Sequence, residues 1–193
     1  MKTNFLRVST LFLFAGAVAM MMSSCKTSKA VTPKDSGEVE VLTPCSGSEY
    51  QSNAKAFRYS AIGESMDQMT AKKKSMSEAR AGLAAAINTV VKAVTDNYVK
   101  SGNYNNKEEL MKNYEGVSRE VVNQSLAGTI VVCEKMMQTK AGTFKSYVCV
   151  ELGGSEILQS LNNKMTNNEM LKVDYNYEKF KKTFDEEMGK TGN

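Results

Sequence analysis

An α+β domain with an antiparallel sheet packed against a long amphipathic helix is the fold this sequence predicts, on three observations. Apolar residues recur at three- and four-residue steps over long stretches, as amphipathic helices require. Between those stretches the period drops to two around Thr139-Lys140-Ala141-Gly142, the pattern of a β-hairpin. The segments follow the order β-β-α-α-β-β-α-α, which lets neighbouring strands pair and helices cover the sheet.

The elements follow in chain order. Glu38-Val39-Glu40-Val41-Leu42 alternates and closes at Pro44-Cys45-Ser46-Gly47, a strand ended by a turn. Phe57 to Gly63 is a second strand, and its small later members would let a helix pack closely. Ser65-Met66-Asp67-Gln68 reads as a capping box with Ser65 at the N-cap. Behind it Met69, Met76, Ala79, Leu83, Ile87, Val90, Val94 and Tyr98 stripe a long helix to about Val99, and Ser101-Gly102-Asn103 breaks it. Asn106 to Glu109 starts another helix, with Leu110, Tyr114, Val117 and Val121 behind it. In the hairpin, Ile130, Val132, Met136, Phe144, Val148, Val150 and Leu152 share one parity and are expected to be buried. Ser155 to Met165 is a short helix, and Val173, Tyr177, Phe180, Phe184 and Met188 stripe a terminal one stopped by Gly189.

The N-terminus reads as an address. Lys2 and Arg7 lead into the apolar run Leu11 to Met22, shorter than the roughly 20 residues a permanent membrane span needs. The run ends in Met22-Ser23-Ser24-Cys25, an aliphatic residue, two small ones and a cysteine. This is similar to the lipobox of bacterial lipoproteins, which implies cleavage before Cys25 and acylation of its thiol and new amine. Each buried CH₂ contributes about 0.8 kcal/mol, so several chains on one cysteine hold a protein to a membrane. The chain is thus read as a signal peptide over 1–24, the lipidated Cys25 with a polar tether over 25–37, and one domain over 38–193. The tether, KTSKAVTPKDSG after Cys25, spans roughly 20 Å as a coil. Lys26 stands where an Asp would signal retention in the inner membrane, which points to the bacterial outer membrane. The absence of acids at Lys26-Thr27-Ser28-Lys29 points to its periplasmic face.

Composition narrows the chemistry. The 193 residues include 25 Lys+Arg and 21 Asp+Glu, a balance too even for a nucleic-acid protein, and no histidine. Without histidine there is no Ser-His-Asp or Cys-His pair, no His-ligated metal and no imidazole base. No catalytic, cofactor-binding or metal-binding residues are therefore assigned.

Ala61-Ile62-Gly63-Glu64-Ser65, the helical AKKKSMSEARAGLAAAI from Ala71 to Ile87, and the hairpin GTIVVCEK…SYVCVEL together resemble the LPP-type (twenty-kilodalton) lipoprotein family of bacterial envelopes. The likeness covers roughly Phe57 to Leu152, and the lipobox agrees with it. It implies an outer-membrane-associated lipoprotein with an α+β domain, and it carries over no catalytic residues.

Three cysteines remain after Cys25. With Ala141 at the centre of the hairpin turn, Cys133 and Cys149 are equidistant from it and face each other across two strands, positioned for a disulfide. Two buried free thiols is the competing reading, with Cys45 left over or competing for either partner. A turn with two central residues, Ala141-Gly142, would instead put the cysteines on opposite faces. Lys72-Lys73-Lys74 could meet anionic head groups, but three consecutive helical positions fan over about 200°. Glu108, Glu109, Asp185, Glu186 and Glu187 fall at helix ends, where charges collect. Tyr98, Tyr104, Tyr114, Tyr175 and Tyr177 either line a groove or pack the helices.

The leading functional expectation is a non-catalytic, lipid-anchored envelope protein that binds a protein or peptidoglycan partner. A carrier of a small apolar ligand, with a cavity lined by Met76, Leu83, Phe144 and Val148, is the first alternative. A hydrolase working without histidine is the second.

Overall fold

The computed structural model describes Gly37 and residues 41–191. The signal-peptide segment, Cys25 and nearly all of the tether lie outside those residues. So do residues 38–40 of the first expected strand; its last two residues, Val41 and Leu42, are exposed and belong to no strand. The chain divides into two units at Val41/Leu42, and every element below belongs to the second.

Strand β1 (Ala56–Ser65) buries Phe57, Ala61 and Gly63 on one face, while Tyr59 between the first two is exposed. After one residue, Met66, and an N-cap at Asp67, helix α1 (Gln68–Ser101) begins; the Asp67 carboxylate accepts from the Thr70 N–H at 2.7 Å. This moves the cap from Ser65 to Asp67. The buried stripe also differs at its start: it runs through Ala71, Ser75, Ala79, Leu83, Ile87 and Val91, while Met69 is exposed. Gly63 gives the reason. A Cβ there would lie 2.2 Å from the Ala71 carbonyl oxygen and 2.4 Å from the Ser75 nitrogen. Helix and strand therefore meet backbone to backbone, and only small side chains fit on the first turns of the stripe.

Helix α2 (Lys107–Ser125) buries Leu110, Tyr114, Val121 and Val122 in the core it shares with α1 and α3, with Val117 partly buried beside them. The hairpin follows as β2 (Ile130–Gln138) and β3 (Phe144–Gly153), then α3 (Gly154–Asn167) and α4 (Tyr177–Met188). The sheet is antiparallel in the order β1-β3-β2, so the last strand of the hairpin is the central one. On the helix-facing side of β3, Val148, Val150 and Leu152 are buried in the core with Phe57, Leu83, Ile87, Ile157 and Leu161, and Ser146 is buried against Ser75, while Phe144, expected to be buried, is only half-buried.

The hairpin turn has three central residues. Gly142 donates to Thr139 O at 3.0 Å and has φ +87°, a conformation that favours glycine. The register centred on Ala141 then runs from Gln138↔Phe144 to Cys133↔Cys149. At Val132 a bulge inserts one residue, and beyond it Val131 pairs with Val150 and Ile130 with Glu151. One extra residue reverses the parity of a strand. Ile130 and Val132 are accordingly not core residues, being 57% and 38% exposed. The second cause is position: β2 is an edge strand, and α1 packs mainly on β1 and β3.

Candidate functional site

The two faces of the sheet differ. One is closed by α1. On the other, Arg58, Ser60, Ile62 and Glu64 of β1 stand beside Glu151, Cys149, Tyr147 and Lys145 of β3. Arg58 Nε lies 2.5 Å from Glu151 Oε2, closing one end of this face. In its middle, pairing puts Ser60, Cys149 and Cys133 in one row across all three strands.

The chain before β1 lies against that row. A 3₁₀ turn (Ser48–Tyr50) follows Cys45, whose carbonyl accepts from the Ser60 hydroxyl. Ser52 ties the same stretch to β1, accepting from the Arg58 N–H at 2.9 Å. Cys45 is bonded to Cys133, with Cα atoms 5.6 Å apart, and Cys149 is a buried free thiol. The expected Cys133–Cys149 bridge is thereby corrected. The two residues do oppose each other, but Cys45 occupies the only bond Cys133 can make. In the sequence Cys45 sits in a turn; what brings it to the sheet is a tertiary contact with no periodic signal.

The Cys149 thiol contacts the Tyr50 carbonyl oxygen at 3.6 Å. Burial pushes it above the ordinary thiol range, against smaller opposing pulls from the Ser60 hydroxyl and the Arg58 charge. Cys45 holds φ +58°, the left-handed region that a residue with a Cβ seldom adopts.

The other sequence candidates fall apart from this row and from one another. Lys72 pairs with Glu134 at 2.6 Å, while Lys74 donates to the Glu64 carbonyl at 3.1 Å. The lysines thus point to different strands rather than forming one patch. Glu108 pairs with Lys112 at 3.1 Å along the exposed side of α2. Asp185 pairs with Lys181, and Glu187 with Lys190 and Asn97, all on α4 or its neighbours. These carboxylates occupy separate helix surfaces and converge on no shared site. Among the described residues, no group of three or more His, Cys, Asp or Glu is placed to hold a metal ion.

The tyrosines pack. Tyr98 is buried at the centre of a cluster with Tyr104, Tyr114, Tyr175 and Phe180, its ring 5.3 Å from that of Phe180 and nearly perpendicular to it. Its hydroxyl donates to Asp174 O at 3.0 Å and accepts from the Asn176 N–H at 2.7 Å. Those two bonds fasten the loop between α3 and α4 to α1. Desolvation lifts Tyr104 to about 12 and raises Tyr114 and Tyr175 as well, so these three hydroxyls stay neutral.

Two of the open clefts among the described residues border α2. One, of about 460 Å³, lies where the α1–α2 and α3–α4 loops meet and is rich in asparagine: Asn103, Asn105, Asn106 and Asn113. The other, of about 530 Å³, separates α1 from α2 and is lined by Lys92, Thr95, Glu115, Ser118 and Arg119. Lys92 bonds Glu115 across it at 2.9 Å, which holds the Glu115 carboxyl below its ordinary range and the ammonium above its own. Neither cleft was legible in the sequence, because its residues come from different elements and share no motif.

No helix among the described residues is long and apolar enough to cross a membrane. Comparison with protein-family models, curated proteins and solved structures finds no match to this chain. The resemblance to the twenty-kilodalton lipoproteins therefore rests on its quoted motifs alone.

Proposed function

We propose that the protein is a lipid-anchored component of a bacterial envelope, held at the outer membrane through Cys25, and that its domain binds a protein or peptidoglycan partner without catalysing a reaction. The observation that carries this reading is Met22-Ser23-Ser24-Cys25 closing a short apolar run behind a basic start. The Cys45–Cys133 disulfide supports it independently, since such bonds persist in exported proteins and are rare in a reducing cytosol. The motif likeness to the envelope lipoprotein family agrees with both.

The carrier alternative fares less well on packing. Leu83 and Val148, two of the four residues expected to line its cavity, are buried in the core. Close backbone contact at Gly63 leaves no room for a ligand between β1 and α1 at that level. The hydrolase alternative finds no converging set of Ser, Lys and carboxylate groups among the described residues.

Crosslinking in intact cells followed by mass spectrometry tests the proposal. The wild-type protein should yield a reproducible adduct with an envelope protein or a peptidoglycan fragment. A Cys25→Ala variant, released from the membrane, should lose most of that adduct. Adducts confined to cytosolic proteins, or none at all, would contradict it.

A further inference from the structure

We propose that Cys45, Cys133 and Cys149 form an exchangeable disulfide site, in which Cys149 can replace Cys45 as the partner of Cys133. Three observations lead to it. Cys149 and Cys133 are direct cross-strand partners on the same face, and opposed Cβ atoms in such a pair lie about 4.5–5.5 Å apart. That is close to the separation of about 3.5–4.5 Å found in disulfides. Secondly, Cys149 is a free thiol buried beside an existing disulfide rather than a packing residue far from one. Thirdly, Cys45 holds a left-handed backbone conformation while bonded to Cys133, and release would let it relax.

The step balances without an oxidant or reductant. The Cys149 thiol gives up its proton, and its sulfur attacks Cys133 Sγ. The 133–149 bond forms as the 45–133 bond breaks, the electron pair leaves on Cys45 Sγ, and Cys45 takes up a proton. One thiol and one disulfide stand on each side. All three cysteine side chains are at least partly withdrawn from solvent, so the attacking thiol is a neighbour rather than a molecule from solution.

The consequence is mechanical. In the 45–133 form the stretch around the Ser48–Tyr50 turn is latched over the second face of the sheet. In the 133–149 form that stretch keeps only its hydrogen bonds, including those of Ser60 and Ser52, and can lift. The site is thus a covalent latch that opens without any change in the protein's overall oxidation state.

Thiolate supply sets the rate. Facing Cys149 are the Arg58–Glu151 pair on β1 and β3, Tyr147 on β3, Lys135 on β2 and the Tyr50 carbonyl from the 3₁₀ turn. Burial outweighs the Ser60 hydroxyl and the Arg58 charge and keeps the thiol protonated near neutrality. Exchange should therefore be slow at pH 7 and about tenfold faster per pH unit above it, until the thiol ionises.

The test traps the leaving thiol. The oxidised full-length protein is incubated under native conditions at pH 7.0 and 8.5 with excess iodoacetamide, quenched in acid and mapped without reduction; the Cys25 peptide is separate and not scored. The expected products are alkylated Cys45 together with a linked 133–149 peptide, appearing at least tenfold faster at pH 8.5. A Cys149→Ser protein should give no alkylated Cys45. Alkylation of Cys149 with the 45–133 link intact, or no alkylation of Cys45 on prolonged incubation, would overturn the proposal. A Cys45→Ser protein supplies a second readout on the isolated pair. It should oxidise to the 133–149 link, and two free thiols in folded Cys45→Ser protein would also overturn it.

Discussion

Reduction of the Cys45–Cys133 bond should lower the stability of the domain by about 2–4 kcal/mol, seen as an earlier midpoint in urea with dithiothreitol than without. The loop closed by the bond has a sequence separation of 88. Chain-entropy reasoning gives about 4.5 kcal/mol as the ceiling for a loop of that size, and residual order in the unfolded chain reduces it. The native contacts at risk are few and local: the Ser60–Cys45 hydrogen bond, the Ser52 bonds to β1 and the cover over Cys149. Most of the loss should consequently appear in the unfolded state, and the reduced domain should keep its helices and hairpin. Coincident loss of helical signal on reduction alone would show that the bridge holds more of the fold than these contacts imply. An unchanged midpoint would show that the bond is absent from the folded protein.

Gly63→Ala should cost about 2–3 kcal/mol, a fall in melting temperature of roughly 5–10 °C for a domain of this size. The added methyl meets the Ala71 carbonyl oxygen and the Ser75 nitrogen, both backbone atoms of α1, and cannot be accommodated by a side-chain rotation. Relief requires α1 to move away from β1, and that interface holds Phe57, Ala61, Ala79 and Leu83. Gly116→Ala is the internal comparison. It lies within α2 with nothing within 4 Å of the added Cβ, so helix propensity alone acts. That variant should gain about 0.5–1 kcal/mol. Equal effects of the two substitutions would contradict the close helix–strand contact on which the description of the core rests.

Periodicity revealed what depends on local sequence. The helices α1 to α4 and the hairpin were legible because each carries an apolar repeat and a turn or cap. The register of Cys133 opposite Cys149 was legible too, because it follows from a three-residue turn centred on Ala141. What escaped was set by tertiary contact. The bulge at Val132 leaves no mark in an apolar Ile130-Val131-Val132 run, yet it exchanges which side chains face α1. The small residues Ala71 and Ser75 start the buried stripe because Gly63 approaches them, a reason invisible to hydrophobicity counting. Cys45 reaches Cys133 through a loop whose path is fixed by Ser60 and by the left-handed turn at Cys45 itself. Of the proposed anchor, the opposite holds: Cys25 is legible only in sequence.

The exposed side of the molecule follows from the same causes. With β3 central and α1 packed mainly on β1 and β3, Ile130, Val131 and Val132 remain partly open to solvent at the sheet edge. An edge strand with apolar side chains is a pairing hazard in a freely diffusing protein. Nearby charges mitigate it: Glu134 is held by Lys72 from α1, and Lys135 follows it on the strand.

Attachment through Cys25 is the central claim, and the intact mass of the protein extracted from membranes tests it most directly. The account predicts a mature chain that begins at Cys25, is heavier than the unmodified residues 25–193 by two or three acyl chains, and takes up a fatty-acid analogue in growing cells. A Cys25→Ala protein should carry no acyl mass and no label. A membrane-extracted chain that begins elsewhere, or that carries the label with Cys25 replaced, would contradict it.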